Sequence, residues 1–364
     1  MSAASNLTIR PSAKFNPSRT LLLLYCNKLQ RGRIVFHRFE SSVLKSNPLN
    51  DPYIRDVVVY LPPGYSHTIS KGYTAIMYLA AYGSSGKALL NLDPFSETIE
   101  ARMNRLILEK KCHPMILILI DCFTKFGGSQ YINSTATGMY EDYLTNEIVR
   151  FVDENYNISN RAIMGHSSGG YGALVLGMRH PDIFQAVVDH SGDAAFEYCY
   201  LPDFPKALEV YRRAGGDHGD PKKWFEEFWQ KPNKHQDPDD MIALNILGMA
   251  AHYSPNPQSP YLGCDFPFDL QTGEIKQDVW NRWISFDPTR MVVKYQDNLK
   301  KMKLIYIDCG TKDEFNIHLG CRILHSKLAR MRIRHFYEEF IGGHSKISYR
   351  YDVSLPMISQ ELAA

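Results

Sequence analysis

Apolar positions in this chain repeat in two ways, and their alternation sets the fold class. Uninterrupted apolar runs rich in β-branched residues occupy residues 73–80, Met115–Ile120, 162–164, Ala186–His190 and 303–308, and a mixed run follows at 335–340. Runs this short, bounded by turn residues, read as strands covered on both faces. Behind the run at 162–164, residues 171–176 continue as a helix. Residues 316–332 carry Ile317, Cys321, Leu324 and Leu328 at helical spacing along one face. Strand then helix, repeated, predicts the α/β class: a mostly parallel central sheet with helices on both faces.

No convincing strand lies between residues 190 and 303. The intervening stretch holds all four tryptophans of the chain (Trp224, Trp229, Trp280 and Trp283) and many other aromatics, among them Tyr198, Phe204, Tyr211 and Phe228. An inserted, aromatic-rich helical cap with its own core is expected there, some of its rings walling a pocket. The expected organisation is an N-terminal extension at residues 1–30, with disorder allowed, a core from residues 31–192 and 298–364, and a cap or lid at 193–297. No internal repeat is visible. Within the insertion, the glycine- and aspartate-rich stretch 215–220 lacks the spacing of a calcium loop and reads as a polar turn.

The chemistry sits where strand 162–164 turns into its helix. The residues there are Gly165-His166-Ser167-Ser168-Gly169. A G-x-S-x-G between strand and helix makes a turn so tight that only small residues fit two before and two after the serine. Ser167 is therefore the candidate nucleophile, raised clear of the sheet over a helix N-terminus that favours negative charge. Ser168 follows it and offers its backbone N–H to a developing oxyanion. His166 should point away from the hydroxyl. An acid and then a histidine are expected later in the chain. Asp313 lies just past the strand at 303–308 and is the candidate acid, with Glu314 as the alternative and Asp308 structural. His344, on a glycine loop after the last strand, is the candidate base, with His318 as the fallback. A second oxyanion donor is expected from the loop after strand 73–80, through the Tyr82 N–H. Gln130 and Asn133, in the loop after Met115–Ile120, are candidate substrate contacts.

These blocks are similar to the bacterial esterase D, enterochelin-esterase-like and feruloyl-esterase-like branch of the α/β-hydrolase superfamily. The matching segments are Val57 to Tyr65, Tyr82-Gly83, Tyr140 to Leu144, the glycine–serine turn, Arg179 to Phe184, Gly310 to Asp313 and Gly342 to His344. The resemblance implies an α/β-hydrolase fold and a Ser-His-Asp triad, without naming a substrate. One departure is Ala80-Ala81, where relatives often carry His-Gly, and it leaves the second oxyanion donor open. The function implied is a serine carboxylesterase acting on short-chain or aryl carboxylic esters through an acyl-enzyme. The alternatives are an acyltransferase of the same fold and a non-enzymatic ligand-binding scaffold.

Composition narrows the partners. The 364 residues carry a net charge of +2, with no basic block to hold nucleic acid. The longest suspicious apolar run near the start, residues 21–26, is far short of the ~18 residues of a membrane span, so stable membrane insertion is not expected. Seven cysteines, odd in number and without C-x-x-C spacing, read as reduced thiols. No metal and no cofactor are expected, the partner is a small-molecule ester, and homo-oligomerisation is left open. The reading for location is cytoplasmic. The basic segment before Glu40 keeps transit-like and secreted alternatives open.

Overall fold

The computed structural model describes residues 31–234 and 236–362; the extension expected at residues 1–30 lies outside them. Eight strands form one sheet: β1 (Arg33–Glu40), β2 (Ile54–Leu61), β3 (Tyr73–Leu79), β4 (Met115–Ile120), β5 (Ile158–His166), β6 (Ala186–His190), β7 (Leu304–Gly310) and β8 (Phe336–Phe340). Their spatial order is β1-β2-β4-β3-β5-β6-β7-β8. Strand β2 pairs antiparallel with β1 and β4. The remaining pairings are parallel.

The strands are continuous apolar runs because both faces are covered. On one face, Val57, Val59, Ile116, Ile118, Ile163, Val187 and Ile305 pack into a core with helix α3 (Ser168–Arg179) and helix α9 (Ile317–Arg330). Their alternate neighbours Val58, Tyr60, Leu117, Leu119, Met164 and Val188 pack on helices α1 (Ile99–Leu108) and α10 (Tyr351–Leu362). This is the two-residue period of a strand read on both sides. Edge strand β1 lacks such a run: its residues are exposed or half-buried, and Phe36 is 66% exposed.

Between α1 and α3 the chain adds helix α2 (Val149–Asn155). The insertion between β6 and β7 contains helices α4 (Phe204–Gly215), α5 (Pro221–Gln230), α6 (Pro238–Tyr253), α7 (Gln277–Ile284) and α8 (Pro288–Lys294). Three of these start the same way. Asp220-Pro221, Asp237-Pro238 and Asp287-Pro288 each put an aspartate at the N-cap and a proline at the first helical position. The aspartate side chains accept from the N–H groups of Lys223, Asp239 and Thr289. Proline has no N–H to waste there, and the carboxylate satisfies one that the helix cannot. Trp224, Phe228, Tyr253 and Trp283 belong to the same buried cluster as the sheet residues beneath α3. The insertion is thus built onto one face of the sheet.

Candidate active site

Parallel strands deliver their following loops to one edge of the sheet, and five loops meet there around the turn between β5 and α3. That turn depends on glycine. A β-carbon on Gly165 would lie 2.2 Å from the carbonyl of Gly169, and one on Gly169 would lie 2.1 Å from the Leu79 oxygen. Between them Ser167 holds φ 59° and ψ −127°, a conformation that costs a non-glycine residue free energy and persists only where its surroundings enforce it. The enforcement is visible: the Ser167 N–H donates to His190 O at 2.9 Å, and Ser167 O accepts from Tyr171 N at 2.9 Å. The side chain stays half-buried at the start of α3.

Loops after β7 and β8 run in contact, with Thr311 N donating to Phe340 O and Lys312 N to Gly342 O, both at 2.9 Å. They bring two buried side chains together. His344 Nδ1 lies 2.7 Å from Asp313 Oδ2. Burial pushes the Asp313 carboxyl up, but the hydrogen bond and charge of His344 and the N–H groups of Phe315 and Ile317 outweigh it and hold it below the ordinary carboxylate value. Glu314 does something else: its Oε2 accepts the backbone N–H of His344 at 2.7 Å. His318 is on α9, and its Nδ1 is buried without a partner.

The His344 ring is packed between two others. Phe315 meets it edge-on at 4.8 Å, and His166 lies 4.8 Å away on a tilted plane. The His166 side chain does leave the serine, as its place in the turn requires. It lands against His344, with its Nε2 2.9 Å from the His344 carbonyl oxygen. Burial first, and the neighbouring His344 second, push its pKa down to about 3. His166 is therefore neutral near pH 7 and can donate to that carbonyl without adding charge beside His344. Sequence reasoning missed this contact, because 178 residues separate the pair.

On the other side of the turn, Ser168 and Tyr82 line one cavity of about 10 Å³, with Gln130 in its wall. The Tyr82 hydroxyl donates to Phe126 O and its ring covers Gly127, so the loop is fixed by its side chain. Gln130 is buried. Its amide nitrogen reaches Tyr253 Oη at 2.9 Å, Tyr200 Oη at 3.1 Å and Asp193 Oδ2 at 3.3 Å, while its Oε1 has no partner. Asp193 Oδ2 also accepts from Ser168 Oγ at 3.2 Å and Tyr200 Oη at 2.8 Å. Asn133 is elsewhere: it is exposed on a two-residue strand, and its Oδ1 accepts from Asp142 N at 3.1 Å. The structure thus brings Ser167, Ser168, Tyr82, Gln130, Asp313 and His344 to one edge and leaves Asn133 outside.

A second Asp–His–Ser chain lies deeper. His190 contacts Asp308 at 2.6 Å and Ser354 Oγ at 2.9 Å, and all three are fully buried. Arg350 and Tyr306 also donate to Asp308. This chain ties α10 to β6 and β7, and no substrate can reach it. The six described cysteines are free and buried. No helix among the described residues is long and apolar enough to cross a membrane.

Strand order, a sharp strand–serine–helix turn and loops delivering an aspartate–histidine pair to the same edge define an α/β-hydrolase. The chain belongs to the Esterase family, whose model, described as "Putative esterase", matches residues 52–359, and it is an ester-hydrolysing enzyme. Solved structures share the fold at low identity. A ferulic acid esterase superposes with a TM-score of 0.57 at 17% identity, over 91% of this chain and 98% of that one. An S-formylglutathione hydrolase from Agrobacterium tumefaciens gives 0.53 at 16%, over 91% and 96%. A fluorophosphonate-binding serine hydrolase from Staphylococcus aureus also gives 0.53 at 16%, over 91% and 98%.

Proposed function

We propose that this enzyme is a serine carboxylesterase in which Ser167 attacks the ester carbonyl, His344 moves the proton and Asp313 orients the imidazole. The observation that carries this reading is the 2.7 Å bond from His344 Nδ1 to Asp313, held beside the strained serine turn. A serine hydroxyl is a weak nucleophile near neutral pH. With Nδ1–H committed to Asp313, the neutral imidazole keeps its lone pair on Nε2, the atom that must take the serine proton. As Ser167 Oγ bonds to the acyl carbon, negative charge grows on the carbonyl oxygen. The N–H groups of Ser168 and Tyr82 are the donors assigned to it, with the N-terminus of α3 adding favourable potential. When the C–O bond to the alcohol breaks, His344 returns the proton to the leaving oxygen. Water then repeats the sequence on the acyl-enzyme. Residues 193–297 serve as the cap over this edge, and Gln130 forms part of the acyl wall. Short-chain and aryl esters are the substrate class, and added alcohol competing with water measures any transfer.

Intact mass after treatment with a fluorophosphonate tests the assignment. One adduct is expected on the wild type and none on Ser167→Ala, with kcat for an aryl ester falling roughly 10³-fold or more in the variant. An adduct on both proteins, or a variant turning over at the wild-type rate, would remove Ser167 from the role.

A further inference from the structure

The two N–H groups assigned to the oxyanion belong to different elements. Ser168 opens α3, and Tyr82 lies in the loop after β3. Their separation must be set by something that touches both. The space between them is about 10 Å³, room for about one oxygen-sized group, so a displacement of ~1 Å would take a donor out of range.

Residues of a third element, the loop after β4, reach both sides. The Tyr131 hydroxyl donates to Ala80 O at 2.5 Å, in the peptide next to the one that carries the Tyr82 N–H. The Tyr131 ring lies on α3 where Gly172 leaves room, and a β-carbon on that glycine would collide with it. Gln130 reaches the other side through Asp193. Its amide nitrogen is 3.3 Å from Asp193 Oδ2, and the same oxygen accepts from Ser168 Oγ at 3.2 Å and Tyr200 Oη at 2.8 Å. Ser168, Gln130, Tyr131 and Asp193 are all buried. The loop holds this arrangement under strain. Gln130 and Tyr131 are consecutive non-glycine residues with φ 46° and 58°, a conformation that persists only where its surroundings enforce it. Here Tyr131 N donates to Ser129 Oγ at 3.3 Å, and Thr124 Oγ1 donates to Gly128 O at 2.6 Å.

We propose that Tyr131 and Asp193 are positioning residues of the esterase, which set the spacing of the Tyr82 and Ser168 N–H groups around the oxyanion. This rests on the serine-esterase reading above. Each acts through another group: Tyr131 through the Ala80 carbonyl, Asp193 through the Ser168 hydroxyl. The Ser168 N–H is one of the donors that the first turn of a helix leaves without an intrahelical partner, and the bond from its side chain to Asp193 resists rotation of that residue. Asp193 serves as an acceptor in this role, so an amide oxygen can replace its carboxylate oxygen.

Steady-state kinetics with p-nitrophenyl acetate, together with binding of phenylboronic acid, tests this. The boronic acid adds to the serine hydroxyl as a tetrahedral anion and presents an oxygen to the same two donors. Tyr131→Phe and Asp193→Ala are each expected to lower kcat about 10- to 100-fold with KM within about threefold, short of the ~10²–10³ lost with an oxyanion donor itself. Affinity for the boronic acid should fall by a similar factor, as it does for a transition-state analogue. Asp193→Asn keeps an oxygen for the Ser168 hydroxyl and should recover to within about threefold of wild type. Ser168→Ala breaks the same bond from its other end, so combining it with Asp193→Ala should cost no more than Asp193→Ala alone. Each variant is checked for native circular dichroism. Should Asp193→Ala lose the fold, Tyr131→Phe, which keeps the ring on Gly172, carries the test. A folded Tyr131→Phe or Asp193→Ala with kcat within about twofold of wild type, or with a lowered kcat and unchanged boronic acid affinity, would overturn this proposal alone. Wild type that neither takes the fluorophosphonate nor hydrolyses an ester would overturn the underlying reading and this one with it.

Discussion

Two adjacent carboxylates in the loop after β7 meet the same residue in different ways. Asp313 binds the His344 ring, whereas Glu314 binds the His344 backbone N–H. Asp313→Asn would present an amide N–H to Nδ1 or force the other tautomer, so kcat is expected to fall by about 10⁴. Glu314→Gln keeps an acceptor for the N–H and should stay within about tenfold of wild type. Steady-state kinetics on both variants decides this, and a larger loss in Glu314→Gln would exchange the two roles. Much of this site was legible as sequence. The glycine spacing around Ser167 follows from local sterics, and chain order pointed to Asp313 and His344. What could not be read are partners set by long-range contact. His166 packs on His344 across 178 residues, and Asp193 meets Ser168 and Gln130 across 25 and 63. The misplacement of Asn133 has the same origin: a polar residue in an edge loop either faces the cavity or caps the next helix, and composition does not say which.

Two-sided burial made several strands legible but not β2, which is buried on both faces from Val57 to Leu61 and was not read as a strand. Strand β4 matches its apolar run residue for residue, as does β6, because both lie inside the sheet. Edge strand β1 was not anticipated, since half-exposed positions give no continuous run. Signals for α5, α6 and α8 were present as three Asp-Pro pairs and were not used. They differ in weight. Asp220 caps a half-buried helix end with a single bond to Lys223 N. Asp287 is fully buried, accepting from Thr289 N at 2.8 Å, Ala195 N at 3.0 Å and Phe196 N at 3.2 Å, with Arg290 paired to it. It thereby joins α8 to the chain just after β6. Asp287→Ala should cost about 3 kcal/mol or more, since several buried donors lose their acceptor, against about 1 kcal/mol for Asp220→Ala. Urea unfolding of the two variants measures the difference, and equal losses would mean that Asp287 acts only as a local cap.

Across the whole molecule, buried groups of opposite charge type set where in pH the fold is most stable. His252, inside α6 with its Nδ1 2.5 Å from Gly248 O, is pushed down to about 4 by burial, and His166 to about 3. Both unfold to side chains that titrate near 6.5. Below that pH the unfolded chain binds protons the native fold refuses, so stability falls as pH drops from about 6.5 toward 4. Asp189, at the end of β6 beneath the serine turn, behaves in reverse. Burial pushes its carboxyl up to about 8, only partly opposed by the N–H of Gly192 at 2.7 Å. Its native form stays protonated while the unfolded residue ionises near 4, so its contribution is full at low pH and is lost as pH rises through about 8. The two histidines thus weaken the fold below about pH 6.5, and Asp189 weakens it as pH rises. Asp189→Asn keeps an acceptor for Gly192 and removes the titration, so chemical denaturation from pH 5 to 9 should show a flatter alkaline limb in the variant. A limb of unchanged slope would mean that Asp189 is ionised in the fold and that some other group sets the decline.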